Sequence, residues 1–106
     1  MSQADNRRLA LYALRFNPGN YYQCQLHLDN GLGGRCAIGL ICDALEIDTD
    51  ESHYSEEELK NDEGPYGEVE KALGCKADMI WPLNDFHKMT FPDIADFLES
   101  FWNLHE

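Results

Sequence analysis

The residues of this 106-residue chain with the widest chemical range are its four cysteines and four histidines. Cys24-x-x-His27, together with Cys36, Cys42 and Cys75, supplies zinc-ligand types, since thiolate sulfur and neutral imidazole nitrogen both bind that ion. A structural zinc site asks for two close pairs, and only Cys24 and His27 are close. On a strand those two would also face opposite sides. No metal is expected, and the thiols read as small apolar groups of a core. Cys36 opens an apolar helical stretch, where a helix N-terminus favours the thiolate. With His27, His53, His87 or His105 and with Asn84 or Asp85, it would make a cysteine-hydrolase arrangement. None of those histidines stands in a motif, so Cys36 is expected to pack rather than react, and catalysis is the lesser alternative.

The remaining candidates are weaker. Asp48-x-Asp50-x-Ser52 opens like a calcium-binding loop, but His53 stands where the sharp turn needs glycine and Leu59 where a bidentate glutamate is needed. Asn84-Asp85 could meet a ligand. Short amide and carboxylate side chains more often bond nearby backbone and shape turns, so a structural role is expected. Gly31-x-Gly33-Gly34 is turn chemistry without the strand and helix of a nucleotide fingerprint. No cofactor is expected. Arg35 beside Gly33-Gly34 is the one cluster suited to an anion, and it supplies a second reading, a sponge that sequesters a small signalling nucleotide.

These residues must be positioned by a small set of elements. Residues 2–16 read as a helix capped by Ser2 or Asp5, with Leu9, Tyr12, Ala13 and Phe16 on one face and Leu14 beside them. Asn17-Pro18-Gly19-Asn20 ends it. Residues 22–28 alternate, with Tyr22, Cys24, Leu26 and Leu28 on one side, as in a half-buried strand. Asp29-Asn30-Gly31 is a turn signal, so a short β-hairpin or an extended loop follows. Residues 36–45 are apolar on all sides and read as a buried helix in which Gly39 lets another element approach closely. Residues 66–73 form a helix stopped by Gly74. Residues 79–84 are apolar but broken by Pro82, with a turn at Asn84-Asp85. Thr90, Pro92 and Asp93 start the last helix, whose stripe is Phe91, Ile94, Leu98, Phe101 and Trp102, with Ala95 and Phe97 beside it. Phe97, Phe101 and Trp102 either fill the core or leave a patch for a homodimer. The expected fold is one small α+β domain, mostly helical, with about four helices and a short β-hairpin.

Between residues 43 and 63 lie ten acidic residues and one lysine. Residues 48–63 read as an acidic loop or insert, in which Ser55 and Glu58 match a capping box. The whole chain has 20 acidic against 8 basic residues, a formal net charge of -12. That charge repels phosphate backbones and anionic membrane surfaces, so neither direct nucleic-acid binding nor membrane binding is expected. It suits a protein partner with a basic surface, such as one that normally holds DNA or RNA. The expected contacts are Asp48, Asp50, Glu51, Glu56, Glu57 and Glu58. The start shows no secretory pattern, and no apolar run is long enough to span a bilayer, so the chain reads as cytoplasmic.

Cys36-Ala37-Ile38-Gly39-Leu40-Ile41-Cys42-Asp43, then Leu73-Gly74, Leu83-Asn84-Asp85 and Phe91-Pro92-Asp93-Ile94-Ala95-Asp96-Phe97-Leu98-Glu99, resembles a group of small uncharacterised proteins. They are frequent in bacteriophage genomes and occur in some bacteria. Their pattern is C-x-[LI]-G in an apolar helix, a later [LW]-N-D, and a closing F-x-x-I-A helix. The resemblance runs from Gly33 to the end. The first helix and the acidic insert fit it less well. It implies a phage origin and a host-cell cytoplasmic setting, in which small acidic proteins often inhibit host machinery, defence systems included. The reading is therefore an acidic inhibitor that acts by protein binding.

Overall fold

The structure, a computed structural model, describes residues 2–24, 28, 32–47 and 65–102. His27, the turn at 29–31, the acidic segment 48–63 and His105 lie outside the described residues. Among the described residues the order is α1 (Gln3–Phe16), β1 (Tyr22–Gln23), β2 (Gly34–Arg35), α2 (Ala37–Ala44), α3 (Pro65–Leu73), a 3-10 turn (Ala77–Met79), α4 (Trp81–Asp85) and α5 (Phe91–Trp102). This is a small, mostly helical α+β domain, with five helices among the described residues where about four are expected. None of the helices among the described residues is long and apolar enough to cross a membrane.

The ends of α1 are set by side chains. Ser2 Oγ accepts from the Asp5 N–H at 3.1 Å, and Asn17 stops the helix in a left-handed conformation, φ 44°, with its N–H on the Ala13 carbonyl. Asn17 then holds the following turn, donating from Nδ2 to the Tyr21 carbonyl and accepting from the Tyr21 N–H. The buried face agrees with the expected one at Ala13 and Leu14 but not at Tyr12 and Phe16. Ala10, Leu11, Ala13 and Leu14 are buried, while Tyr12 and Phe16 are 52% and 68% exposed. The inward face is rotated toward Ala10 and Leu11 and away from Tyr12 and Phe16, and it holds two alanines. Small residues let helix axes approach closely, and α1 packs against α2, α3 and α5 at once.

The strand pair also departs from expectation. Tyr22 lies opposite Gly34 and Gln23 opposite Arg35, and the strands run parallel rather than as an antiparallel hairpin. The Tyr22 N–H donates to the Gly33 carbonyl and the Cys24 N–H to the Arg35 carbonyl, each at 3.1 Å. Parallel strands cannot be joined by a tight turn. Leu28 supplies the reason: it is fully buried, and its carbonyl lies so close to α2 that a Cβ on Gly39 would strike it. The chain is thus drawn onto α2 before β2 begins. Of the expected inward face, Leu28 is buried and Cys24 partly so, but Tyr22 is exposed like Gln23, and the Gln23 amide bonds Asn84.

Helix α2 is buried from Ala37 to Cys42 and forms the centre of a core completed by Leu14, Leu28, Val69, Leu73, Ile80, Ile94 and Leu98. Helix α3 ends at Gly74, φ 70°, whose N–H reaches the Glu70 carbonyl at 2.8 Å. Two α1 side chains cap its open carbonyls: Asn6 Nδ2 donates to Ala72 O at 3.1 Å and Arg7 Nε to Leu73 O at 2.7 Å. Such carbonyls have no partner within their own helix. The expected break at Pro82 is a short helix instead. Proline in a first turn leaves no hydrogen bond unmade, because those N–H groups have no intrahelical acceptor, and Pro82 occupies that turn of α4. Helix α5 begins as read, with Thr90 Oγ1 accepting from the Asp93 N–H. It buries Phe91, Ile94, Ala95, Leu98 and Trp102, but leaves Phe97 and Phe101 out at 41% and 52% exposure.

Candidate functional site

Asn84 is the buried polar residue among the described ones, 1% exposed. Its Oδ1 accepts from Gln23 Nε2 at 2.8 Å and from the Ala37 N–H at 3.2 Å. Its Nδ2 donates to the Cys24 carbonyl at 2.9 Å and to Asp85 Oδ1 at 2.8 Å. Four bonds exhaust what one carboxamide can make. They join β1, the first turn of α2 and α4 at one point. Gln23 extends the junction by also donating to the Met89 carbonyl at 2.7 Å, ahead of α5. A shallow cavity of about 440 Å³ opens beside it, lined by Gln23, Cys24, Asn84 and Lys88. Asn84 thus lies at this cavity with its amide committed to the protein. Sequence reading missed Gln23 and the α2 amide as its partners, and nothing in the local pattern marks them.

The basic cluster at Arg35 is also committed. Its Nη1 donates to the Gly39 carbonyl at 3.0 Å, and its guanidinium lies over the Tyr21 ring, 4.5 Å from the centroid. Tyr21 in turn donates from its hydroxyl to Asp43 at 3.2 Å. This chain of contacts ties the loop before β1 to α2. An anionic ligand would have to compete for Arg35 with both partners.

The four cysteines form no disulfide. Cys36 caps α2 without a side-chain hydrogen bond to it and is fully buried, as is Cys42. A nucleophile must be reached by its substrate, and Cys36 is not reachable in this arrangement. Burial pushes the Cys42 thiol pKa well up, with a smaller rise from Cys36. Burial also raises that of Cys75, with the neighbouring Trp102 and Arg7 acting in the opposite direction. These environments hold thiols protonated and slow to react. Among the described residues no three of His, Cys, Asp and Glu come together as metal ligands.

The distribution of charge is the most distinctive feature of the surface. All four arginines of the chain are engaged within the domain. Arg7 bonds the end of α3 and lies over the Trp102 ring at 5.2 Å. Arg8 pairs with Asp5 at 3.7 Å. Arg15 is clasped by Asp96 at 2.9 Å and Glu99 at 3.1 Å, which joins α1 to α5, and the two carboxylates hold its guanidinium more firmly protonated. Arg35 is bound as described. Asp43, Glu46, Glu68, Asp78 and Asp93 meanwhile face solvent. The six carboxylates expected to meet a partner, Asp48, Asp50, Glu51, Glu56, Glu57 and Glu58, fall outside the described residues. The chain matches no protein-family model, no curated protein and no solved structure.

Proposed function

We propose that this protein acts by binding another protein, as a small acidic inhibitor whose partner is a host protein with a basic, nucleic-acid-facing surface. The observation that carries the reading is the internal use of every arginine, which leaves the acidic excess of a chain at net charge -12 turned outward. Unpaired surface carboxylates steer a basic partner and speed encounter. The resemblance to small phage proteins, from Gly33 through the closing helix, supplies the setting: a host cell in which such a protein blocks machinery that handles DNA or RNA, a defence system being one candidate.

The contact set is Asp48, Asp50, Glu51, Glu56, Glu57 and Glu58. The test is capture from host lysate by the tagged protein at low and moderate salt, followed by binding kinetics with the purified partner. One dominant partner is expected, with an association rate that falls as salt rises. Reversing the six carboxylates to lysine should slow association by at least about tenfold, the scale of long-range steering. A reversed protein that binds with unchanged rate and unchanged salt dependence would sink the proposal.

A further inference from the structure

Resting on the reading that the partner is a basic protein, we infer that the outer face of α5 is the strip on which an arginine-bearing segment of that partner docks. Asp93, Phe97 and Phe101 follow one another at four-residue steps and so lie in one row along the helix. Phe97 and Phe101 hold their rings parallel, 5° apart in plane and 6.5 Å between centroids, on the side of α5 that the core does not cover. Asp93 sits one turn away and is exposed. All three charged residues of α5, Asp93, Asp96 and Glu99, are acidic, and Asp96 and Glu99 are held by Arg15. Asp93 is thus the charge of this helix that stays with the ring pair.

Charge and chemistry together select the occupant. A second copy of this chain would bring another net charge of -12 against the same face, which opposes self-association. An anionic lipid surface is opposed for the same reason. A guanidinium fits: it is planar, it stacks on aromatic faces, and it pairs with a carboxylate at the same time. Two aromatic faces next to one carboxylate offer both contacts to successive arginines of one segment. Lysine would gain the charge contact but less of the stacking.

The probes are two synthetic peptides, one alternating arginine with alanine and the other lysine with alanine, titrated calorimetrically into the full chain at low and moderate salt. The wild type should bind the arginine peptide more tightly. The double variant Phe97→Leu, Phe101→Leu keeps apolar area and charge but removes both rings. It should lose about fivefold in affinity for the arginine peptide, the strength of two exposed cation–π contacts, and keep its salt dependence. Asp93→Asn should reduce the salt dependence instead. Circular dichroism melts of each variant confirm that the exposed positions leave the fold intact. If the leucine variant binds the arginine peptide as tightly as the wild type, the docking strip is overturned. The protein-binding reading survives that result when reversal of Asp48, Asp50, Glu51, Glu56, Glu57 and Glu58 still slows binding of the captured partner, and falls with it when that reversal does nothing. Concentration-dependent dimers that the leucine variant abolishes would overturn the strip in favour of self-association.

Discussion

Asn84 shows how a single side chain can hold three elements in register. Its four bonds reach residues at sequence separations of 61, 47, 60 and 1, so its loss strands partners on β1 and α2 together. Replacement by leucine, similar in size, takes the acceptor from the buried Ala37 N–H and a donor from the part-buried Cys24 carbonyl. Each such group costs about 1–3 kcal/mol, and urea unfolding should show a loss of about 2–4 kcal/mol. An unchanged midpoint would mean that water satisfies those groups instead. The structural role was legible in the residue type, since Asn in an apolar segment has to find backbone partners. Which partners it finds was not, because separations of that size carry no local signal. Cys42 gives a second test at this scale. Its folded pKa is raised by burial, so between the ordinary thiol value and the raised one the unfolded chain has lost a proton that the folded chain keeps. Stability is therefore fully present below the ordinary value and falls as pH rises above it, by about 1.4 kcal/mol per pH unit for one thiol. Urea midpoints of the parent should fall from about pH 8 to about pH 10, and those of Cys42→Ala should start lower and fall less steeply. Equal slopes in parent and variant would exclude Cys42 as the source.

At the scale of elements, ends were easier to read than faces. Ser2, Asn17, Gly74 and Thr90 each mark a boundary through their own backbone or side-chain bonds, and those bonds are local. The inward face of α1 is decided instead by what three other helices can accept. Periodicity alone fits Leu9, Tyr12, Ala13 and Phe16 as well as Ala10, Leu11, Ala13 and Leu14. The two stripes predict opposite outcomes. Leu14→Ala should cost about 2–5 kcal/mol as a core truncation, and Phe16→Ala should stay within about 0.5 kcal/mol as a surface change. Comparable losses at both positions would mean that the exposed stripe is covered in solution. The parallel strand pair was illegible for a related reason: a turn signal at Asp29-Asn30-Gly31 says that the chain bends, not how far it travels first. Gly39 records that travel. Glycine inside a helix is disfavoured by roughly 0.5–1 kcal/mol relative to alanine, so a glycine there without a steric role should gain stability on replacement. Here the added methyl meets the Leu28 carbonyl, a backbone atom that cannot swing aside. Gly39→Ala is expected to lose about 1–3 kcal/mol, as overpacking does, and a gain in melting temperature would show that Leu28 yields.

For the whole molecule the sequence announced the charge but not its arrangement. Composition gives -12, whereas the destinations of the arginines depend on contacts such as Arg15 with Asp96 and Glu99, 81 and 84 residues away. That arrangement has a consequence for stability as well as for binding. Principal extents of 34 × 27 × 25 Å are comparable with the Debye length of about 30 Å at 0.01 M salt and far exceed the length of about 8 Å at 0.15 M. At low salt every surface carboxylate therefore feels most of the others, and the folded chain repels itself more than the expanded one does. Adding sodium chloride across that range should raise the melting temperature of the parent. The Arg15 clasp works against this trend, because an exposed ion pair is weakened by the same salt. Arg15→Gln removes the clasp and takes the net charge from -12 one unit further, leaving Asp96 and Glu99 facing α1 without their cation. Its cost should be about 1 kcal/mol at physiological salt, near the sum of two surface pairs, and larger at low salt. The variant should therefore gain more from added salt than the parent does. A smaller gain would mean that Arg15 holds α1 to α5 through packing of its stem rather than through charge.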